Sequence, residues 1–469
     1  MSTTSDGYNV ILVVLDTVRA CQLGLYGRER DPMPTLSRFG DDATVFDRAY
    51  TNAPWTMPAH ASLFTGKIPS EHGCHGGSLG FTTDHEALAE TFSERGYRTY
   101  GLSNNVWISD HFRFDTGFDE FYKEWQLFRQ SREIGHTLKG ADTSKRDVLE
   151  TLARGNPLVN VLNGLYGKYL YRRTDFGGAR TTNHVARLLE DRTEPFFLFV
   201  NYMEGHAPFV EHDCSERFLP NDLEDASRYT ALSGNSLDYH TGRTEISDSA
   251  FERIESLYDG ELAYLDRRLG QLFETLRARG LLSESIVVVV GDHGENVGDH
   301  GLMAHRFSVH DTLLHVPLVV RHPDDGRGER VEELVDFTDL HRWLVTVPTG
   351  PADPTRIPSD DPVVAEYLST TYTPEAQDDA FDFAGSDYDR RLQAVLTSEH
   401  KLTVADDGET ALYAYDGGPD FERDGDRISD AAVESRLRDH CPGFEEASTA
   451  SIDEREAVED HLKKLGYMD

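Results

Sequence analysis

Two carboxylates and an imidazole stand directly behind short, strongly apolar runs. Asp16 follows Val10–Leu15 (VILVVL), and Asp292-His293-Gly294-Glu295 follows Ile286–Val290 (IVVVV) after one glycine. Groups delivered at strand ends can converge, and two carboxylates with one imidazole suit a divalent ion. Asp16 alone reads equally well as a helix cap or a turn residue; the Asp-His pair is more specific, because flanking glycines let its loop approach an ion closely. A third piece is Pro54-Trp55-Thr56-Met57-Pro58-Ala59-His60-Ala61-Ser62-Leu63-Phe64-Thr65-Gly66. Pro58 signals a helix start and Gly66 a stop, which puts Thr56 near the N-cap. A hydroxyl there lies at the positive end of the helix dipole beside free N–H groups, a place suited to a tetrahedral oxyanion. Threonine also caps helices routinely, and taken alone that is its commoner role. His206 follows the run Phe196–Val200 (FFLFV), where an imidazole can protonate a leaving group or hydrogen-bond an anion. Further on, Gly298-Asp299-His300-Gly301 leads to His305 and His310; His300 and His310 read as structural.

The elements that must position these groups are legible in the same runs. With Val316–Val320 (VPLVV) they are short and β-branched, the pattern of central strands covered by helices on both faces. Ile254, Tyr258, Leu262, Leu265, Leu269, Leu272 and Leu276 recur at helical spacing and are stopped by Gly280. Strand, helix, strand is the pattern of an α/β fold. Beyond Pro351–Pro362, strand candidates Val363–Glu366, Gln393–Thr397, Lys401–Val404 and Ala411–Tyr415, with a turn at Asp406-Asp407-Gly408, predict a small antiparallel sheet. The chain therefore divides into an α/β catalytic domain over residues 1–350 and a smaller subdomain over 351–469. The latter ends in an acidic tail with a helix predicted over Ile452–Leu465. Residues 125–185 and 210–250 have weak periodicity and read as insertions or lid material.

The 469 residues carry 46 Lys and Arg against 83 Asp and Glu, a net charge of -37, and only eight of the basic residues are Lys. Such a surface repels nucleic acid and anionic membrane. Acid spread along the whole chain is the pattern of a halophilic protein, in which concentrated salt screens the self-repulsion. Cys21, Cys74, Cys214 and Cys441 are scattered without metal-binding spacing and read as free thiols. The N-terminus lacks a basic region followed by a long apolar run, and no stretch approaches the roughly twenty apolar residues that span a bilayer. The expectation is a soluble, cytoplasmic protein.

Taken in order, these segments resemble the sulfatase family of the alkaline phosphatase superfamily. The resemblance rests on Asp16 after its strand, Thr56-Met57-Pro58-Ala59 at a helix start, Gly205-His206-Ala207-Pro208-Phe209 and Tyr258-Asp259-Gly260-Glu261. It continues through Gly291-Asp292-His293-Gly294-Glu295, Gly298-Asp299-His300-Gly301, Val316-Pro317-Leu318-Val319-Val320 and the late Ala411-Leu412-Tyr413, covering about residues 9 to 415. It implies a sandwich with a large central mixed, mostly parallel sheet flanked by helices, plus a smaller C-terminal antiparallel sheet. It also implies one divalent cation, with Ca, Mg or Mn favoured over Zn, held by Asp16, Asp292 and His293 and by the nucleophile Thr56 itself. The family's second aspartate is Thr17 here. Its basic residue four places after the nucleophile is His60, its later lysine is best matched by His305, and its Lys–x–His region is Ser103-Asn104-Asn105-Val106-Trp107. The resemblance thus implies a pocket with less fixed positive charge.

Sulfatases carry a Cys or Ser that is oxidised to formylglycine, and threonine cannot give that aldehyde. A threonine ester must be cleared by water attacking sulfur or phosphorus, which moves weight from sulfate towards phosphate esters. In this reading the cation activates Thr56, and His206 or His305 protonates the leaving oxygen. The substrate would be a small-molecule or glycan sulfate or phosphate ester. The alternatives are a second metal held by Glu204, His206 and His305, a phosphoryl transferase acting on a sugar or lipid hydroxyl, and a binding protein without turnover.

Overall fold

The computed structural model describes residues 7–81, 85–126, 175–190, 192, 195–220, 225–323, 328–348, 352–359, 361–368, 388–415 and 427–444. Its main sheet has eight strands: β1 (Asn9–Leu15), β2 (Thr44–Tyr50), β3 (Arg98–Ser103), β4 (Glu120–Lys123), β5 (Phe196–Tyr202), β6 (Ser285–Gly291), β9 (Leu318–Arg321) and β10 (Glu329–Asp336). A hairpin of β7 (Asn296–Val297) and β8 (Met303–Ala304) lies between the sixth and ninth. The order across the main sheet is β10-β2-β9-β6-β1-β5-β3-β4. Only β9 runs against its neighbours, so the sheet is mixed and mostly parallel.

Alternation along β1 shows why this strand is apolar throughout. Ile11, Val13 and Leu15 face one layer, with Leu257, Leu262, Leu265 and Leu269 of the long helix Asp248–Ala278. Val10, Leu12 and Val14 face the other, with Met57, Ala61 and Phe64 of the helix Thr56–Thr65. Strands covered on both sides have no solvent face on which to place polar residues. β2, β3, β4 and β10 lie to the flanks and carry polar residues in mixed patterns, such as TVFDRAY and ERVEELVD, so apolar runs did not mark them.

The weakly periodic stretch 210–250 is more ordered than its sequence indicates. It holds the helices Ala226–Ser233 and Ser236–His240, whose first turns are capped by the side chains of Asp225 and Asn235. Buried His240 lies 2.9 Å through Nε2 from the carbonyl of Met303 and so braces the small hairpin. Of the other weak stretch, residues 175–185 are described and begin the helix Gly178–Leu188; residues 127–174 and the helix predicted over Ile452–Leu465 lie outside the described residues. Among the described residues, no helix is long and apolar enough to cross a membrane.

The later strands form the expected antiparallel sheet, β11 (Val363–Tyr367), β12 (Leu392–Leu396), β13 (His400–Ala405), β14 (Thr410–Ala414) and β15 (Arg427–Ile428), in sequence order. Val363, Ala365, Ala394 and Leu396 join the same apolar cluster as Val10 and Leu12, so this sheet shares a core with the main one. A polar tie runs across the join. Lys401 on β13 is fully buried and donates through Nζ to Asp311 Oδ1 at 2.6 Å and to the Val309 carbonyl at 2.8 Å. A buried pair costs most when one partner is removed. Lys401→Met strands Asp311 and is expected to lower unfolding stability by about 3–5 kcal/mol in urea. Arg390→Ala, which opens a surface pair with Glu409, should lose less than about 1 kcal/mol.

Candidate active site

β1, β5 and β6 are adjacent and parallel, with Leu15 paired to Tyr202 on one side and to Gly291 on the other. Their carboxyl ends therefore open together. Asp16 leaves β1, Met203–His206 leaves β5, and Asp292-His293 leaves β6. Asp16, Asp292 and His293 are fully buried, and one ligand atom from each lies within 4.8 Å of the others, the one such group among the described residues. Asp16 Oδ1 and Asp292 Oδ2 make no hydrogen bond to the described protein. Burial lifts the Asp16 carboxyl to about 7, with Glu295's charge adding and hydrogen bonds from Asn105 and Asn201 opposing. Asp292 is held well above the usual carboxylate range by burial and then by Asp16. Two unsatisfied carboxylate oxygens and an imidazole, buried together, fit a divalent cation.

The loop carrying Asp16 is strained and held. Thr17 has φ 56°, a left-handed conformation unfavourable for a β-branched residue. Its carbonyl accepts from the Tyr258 hydroxyl at 2.6 Å, and its N–H donates to Asp292 Oδ1 at 3.0 Å. Glycine is required where loops meet: a Cβ at Gly205 would stand 2.5 Å from the Asp16 carbonyl, and one at Gly294 would stand 1.9 Å from that of Thr312. Arg19, also buried, ties the strand end to the following loop through Asp299 Oδ2 at 2.6 Å and the Glu295 carbonyl at 3.1 Å.

Thr56 is the first residue of its helix, one position inside the cap, which is Trp55; no side chain caps this end. The capping role that its residue type favours is therefore not the one it takes. Its Oγ1 lies 3.3 Å from His293 Nε2 and 3.4 Å from Asn105 Nδ2. One turn on, His60 is fully buried, with Nδ1 2.9 Å from the Thr56 carbonyl and 3.6 Å from Asp292 Oδ2. Burial pulls its pKa down to about 4. His206 and His305 come together, with ring centroids 5.1 Å apart, and His305 lies 4.7 Å from the His293 ring. His305 Nδ1 faces both Glu295 oxygens at 3.3 Å, and burial, with Arg306 adding, lowers His305 to about 3. A carbonyl can only accept, so the contacts of His60, His206 and His293 with the carbonyls of Thr56, Ala207 and Gly294 assign the proton to Nδ1. In the neutral form of each ring, Nε2 is then the nitrogen without a proton.

Glu204 does not join the pair His206 and His305 as a second ligand set. Its carboxylate lies over the start of the helix Gly178–Leu188, so close that a Cβ at Gly178 would meet Oε1 at 2.1 Å. Glu295 takes the place beside His305 instead. Three participants were not singled out by sequence: Glu295, which burial raises to about 8; Arg306, whose guanidinium acts on both Glu295 and His305; and Asn105, which donates to Asp16 Oδ2 at 2.5 Å. Glu295 sits inside the DHGE motif and Arg306 follows His305, so adjacency was a signal for both. Asn105 follows β3, whose polar pattern concealed that it ends at the site.

Comparison with known proteins identifies the family and the fold. The sulfatase family model matches residues 8–346. An arylsulfatase of Clostridium perfringens is 23% identical over 358 residues, covering 72% of this chain and 74% of its own. Bovine arylsulfatase K is 22% identical over 363 residues, covering 73% of this chain; the match spans 63% of that longer relative. A phosphonate monoester hydrolase from Silicibacter pomeroyi superposes with a TM-score of 0.61 at 19% identity, covering 92% of this chain and 93% of its own, which shows a shared fold. With a family model spanning most of its length and the site built at the ends of β1, β5 and β6, the chain belongs to the sulfatase family, within the alkaline phosphatase-like superfamily.

Proposed function

We propose that this chain hydrolyses sulfate or phosphate esters with Thr56 as nucleophile and a divalent cation held by Asp16, Asp292 and His293. It is a sulfatase-like ester hydrolase. The observation that carries the reading is the placement of the Thr56 hydroxyl, at a helix start, 3.3 Å from a member of the one buried ligand cluster. The names of its relatives, an arylsulfatase and a phosphonate monoester hydrolase, support the same class of bond.

A bound divalent cation would make the Thr56 hydroxyl more acidic and draw charge from the oxygens of the transferred group. Thr56 Oγ1, its proton given up to solvent, then forms a bond to sulfur or phosphorus as the bond to the leaving oxygen breaks. That oxygen needs a proton, and protonated His206 is the better donor. His206 is partly exposed at the site, whereas burial keeps His305 neutral at working pH. Water attacks the central atom in the second half-reaction and releases Thr56, because a threonine ester has no geminal hydroxyl from which to expel sulfate. Metal identity follows from the donors: two carboxylates and one imidazole favour Mg, Ca or Mn.

Assays belong in molar potassium chloride, since the net charge of -37 supports a high-salt setting. Thr56→Ala should lose kcat/KM by about a thousandfold or more on whichever 4-nitrophenyl ester is turned over, while Thr56→Ser keeps measurable activity. Full activity in Thr56→Ala would remove the nucleophile assignment. His206→Ala should slow an alkyl ester far more than a 4-nitrophenyl ester, because 4-nitrophenolate leaves without a proton; equal losses on both would exclude His206 as the acid.

The metal-free site also predicts a pH-dependent response. Asp16 and Asp292 have folded pKa values above the unfolded carboxylate value, so the stability they contribute is present below about pH 4. For Asp16 it is lost as pH rises through about 7. A cation binds the ionised pair. The gain in Tm on adding Mg, Ca or Mn should therefore be larger at pH 8 than at pH 5.5, by differential scanning calorimetry. A gain that is flat with pH would contradict these ligands.

A further inference from the structure

We infer that Asn105 is a specificity-determining residue: as a neutral donor set between Asp16 and Thr56, it favours a transferred group carrying one negative charge over one carrying two. The inference rests on the ester-hydrolase reading above and adds to it the charge class of the substrate. The backbone after β3 turns back through Ser103, whose Oγ accepts from the Asn105 N–H at 3.1 Å and donates to the Asn105 carbonyl at 3.0 Å. Asn105 Oδ1 accepts the Trp107 N–H at 2.9 Å. That contact fixes the amide's orientation, because an N–H can only donate, and it leaves Nδ2 as the atom facing the site. Nδ2 reaches Asp16 Oδ2 at 2.5 Å and Thr56 Oγ1 at 3.4 Å, and the residue is fully buried.

Charge bookkeeping around the hydroxyl then has one outcome. Asp16 and Asp292 together balance a divalent cation. Of the other groups within 3.6 Å of Thr56 Oγ1 or the Asp292 carboxylate, His60 and His293 are imidazoles turned to carbonyls and Asn105 is an amide. None brings a fixed positive charge. Two guanidiniums act on neighbouring Glu295. Arg19 is committed to Asp299 and Gln22, and Arg306 acts on His305 as well. A single negative charge on the transferred group adds one buried charge beside an already balanced cation site. A second would stand buried without a partner, which is costly. Sulfate monoesters, phosphate diesters and phosphonate monoesters carry one charge; a phosphate monoester carries two above its second pKa of about 6.

The test compares phenyl sulfate with phenyl phosphate, ligands of one shape and different charge. Their binding to the manganese-loaded, full-length Thr56→Ala protein, in which turnover is blocked, is followed by titration calorimetry in molar potassium chloride. At pH 8 phenyl sulfate should bind at least about tenfold more tightly, and the gap should narrow at pH 5.5 as phenyl phosphate takes up a proton. Adding Asn105→Lys should shrink or reverse the ratio at pH 8. Adding Asn105→Asp, which keeps the side chain's size should the lysine variant not fold, should widen it. Equal affinity for the two ligands at pH 8, or a ratio unmoved by either folded, manganese-loaded variant, overturns the inference. Should that happen while wild-type turnover still depends on Thr56, only the role of Asn105 falls. If neither ester binds, the ester-hydrolase reading falls with it.

Discussion

Two carboxylates, Asp16 and Asp292, are buried against each other without a hydrogen bond to one oxygen of each, and much of the surrounding structure exists to hold them there. Adjacent parallel strands bring their loops to one point, since Leu15 pairs with Gly291 at the last rung. The backbone beyond Asp16 is bent into a left-handed conformation at Thr17, whose carbonyl accepts from the Tyr258 hydroxyl of the long helix and whose N–H donates to Asp292. Arg19 clamps the loop after Asp292, and Gly205 and Gly294 let their loops pass Asp16 and Thr312 more closely than a Cβ allows. Burying two carboxylates this way is costly while both are ionised and unpartnered; protonation, or a cation between them, would relieve it.

The parts of the fold legible in sequence are those with a single physical requirement. β1, β5 and β6 are apolar on both faces because helices cover both, so they stand out as runs. The long helix shows its leucines at helical spacing for the same reason. β3 has polar residues at Arg98 and Ser103 and a glycine, and its reading as a strand depends on β5 beside it. With β3 hidden, only the family resemblance put Asn105 near the pocket, and nothing in its own sequence gave it a role. Thr56 shows the opposite case. Its residue type at a helix start points to capping, and only the tertiary approach of His293 and Asn105 gives the hydroxyl another task.

Histidine carries the remaining lesson. An alternative reading of the sequence grouped Glu204, His206 and His305 as a second metal's ligands. The loop after β5 instead turns Glu204 back over the start of a helix and leaves His206 facing His305, with Glu295 behind. Side-chain direction, which spacing in a loop does not encode, decided this. The result is a site of one buried carboxylate-imidazole cluster, histidines whose Nδ1 faces a carbonyl, and a neutral amide beside Thr56.

The central claim is that Thr56 itself carries the transferred group. Rapid acid quench of the manganese-loaded enzyme during turnover, followed by proteolysis and mass spectrometry, tests it directly. The account predicts one sulfuryl or phosphoryl group on the peptide containing Thr56, located on that residue by fragmentation and absent without manganese. Steady turnover with that peptide unmodified at every quench time, or the group found on another residue, would contradict it.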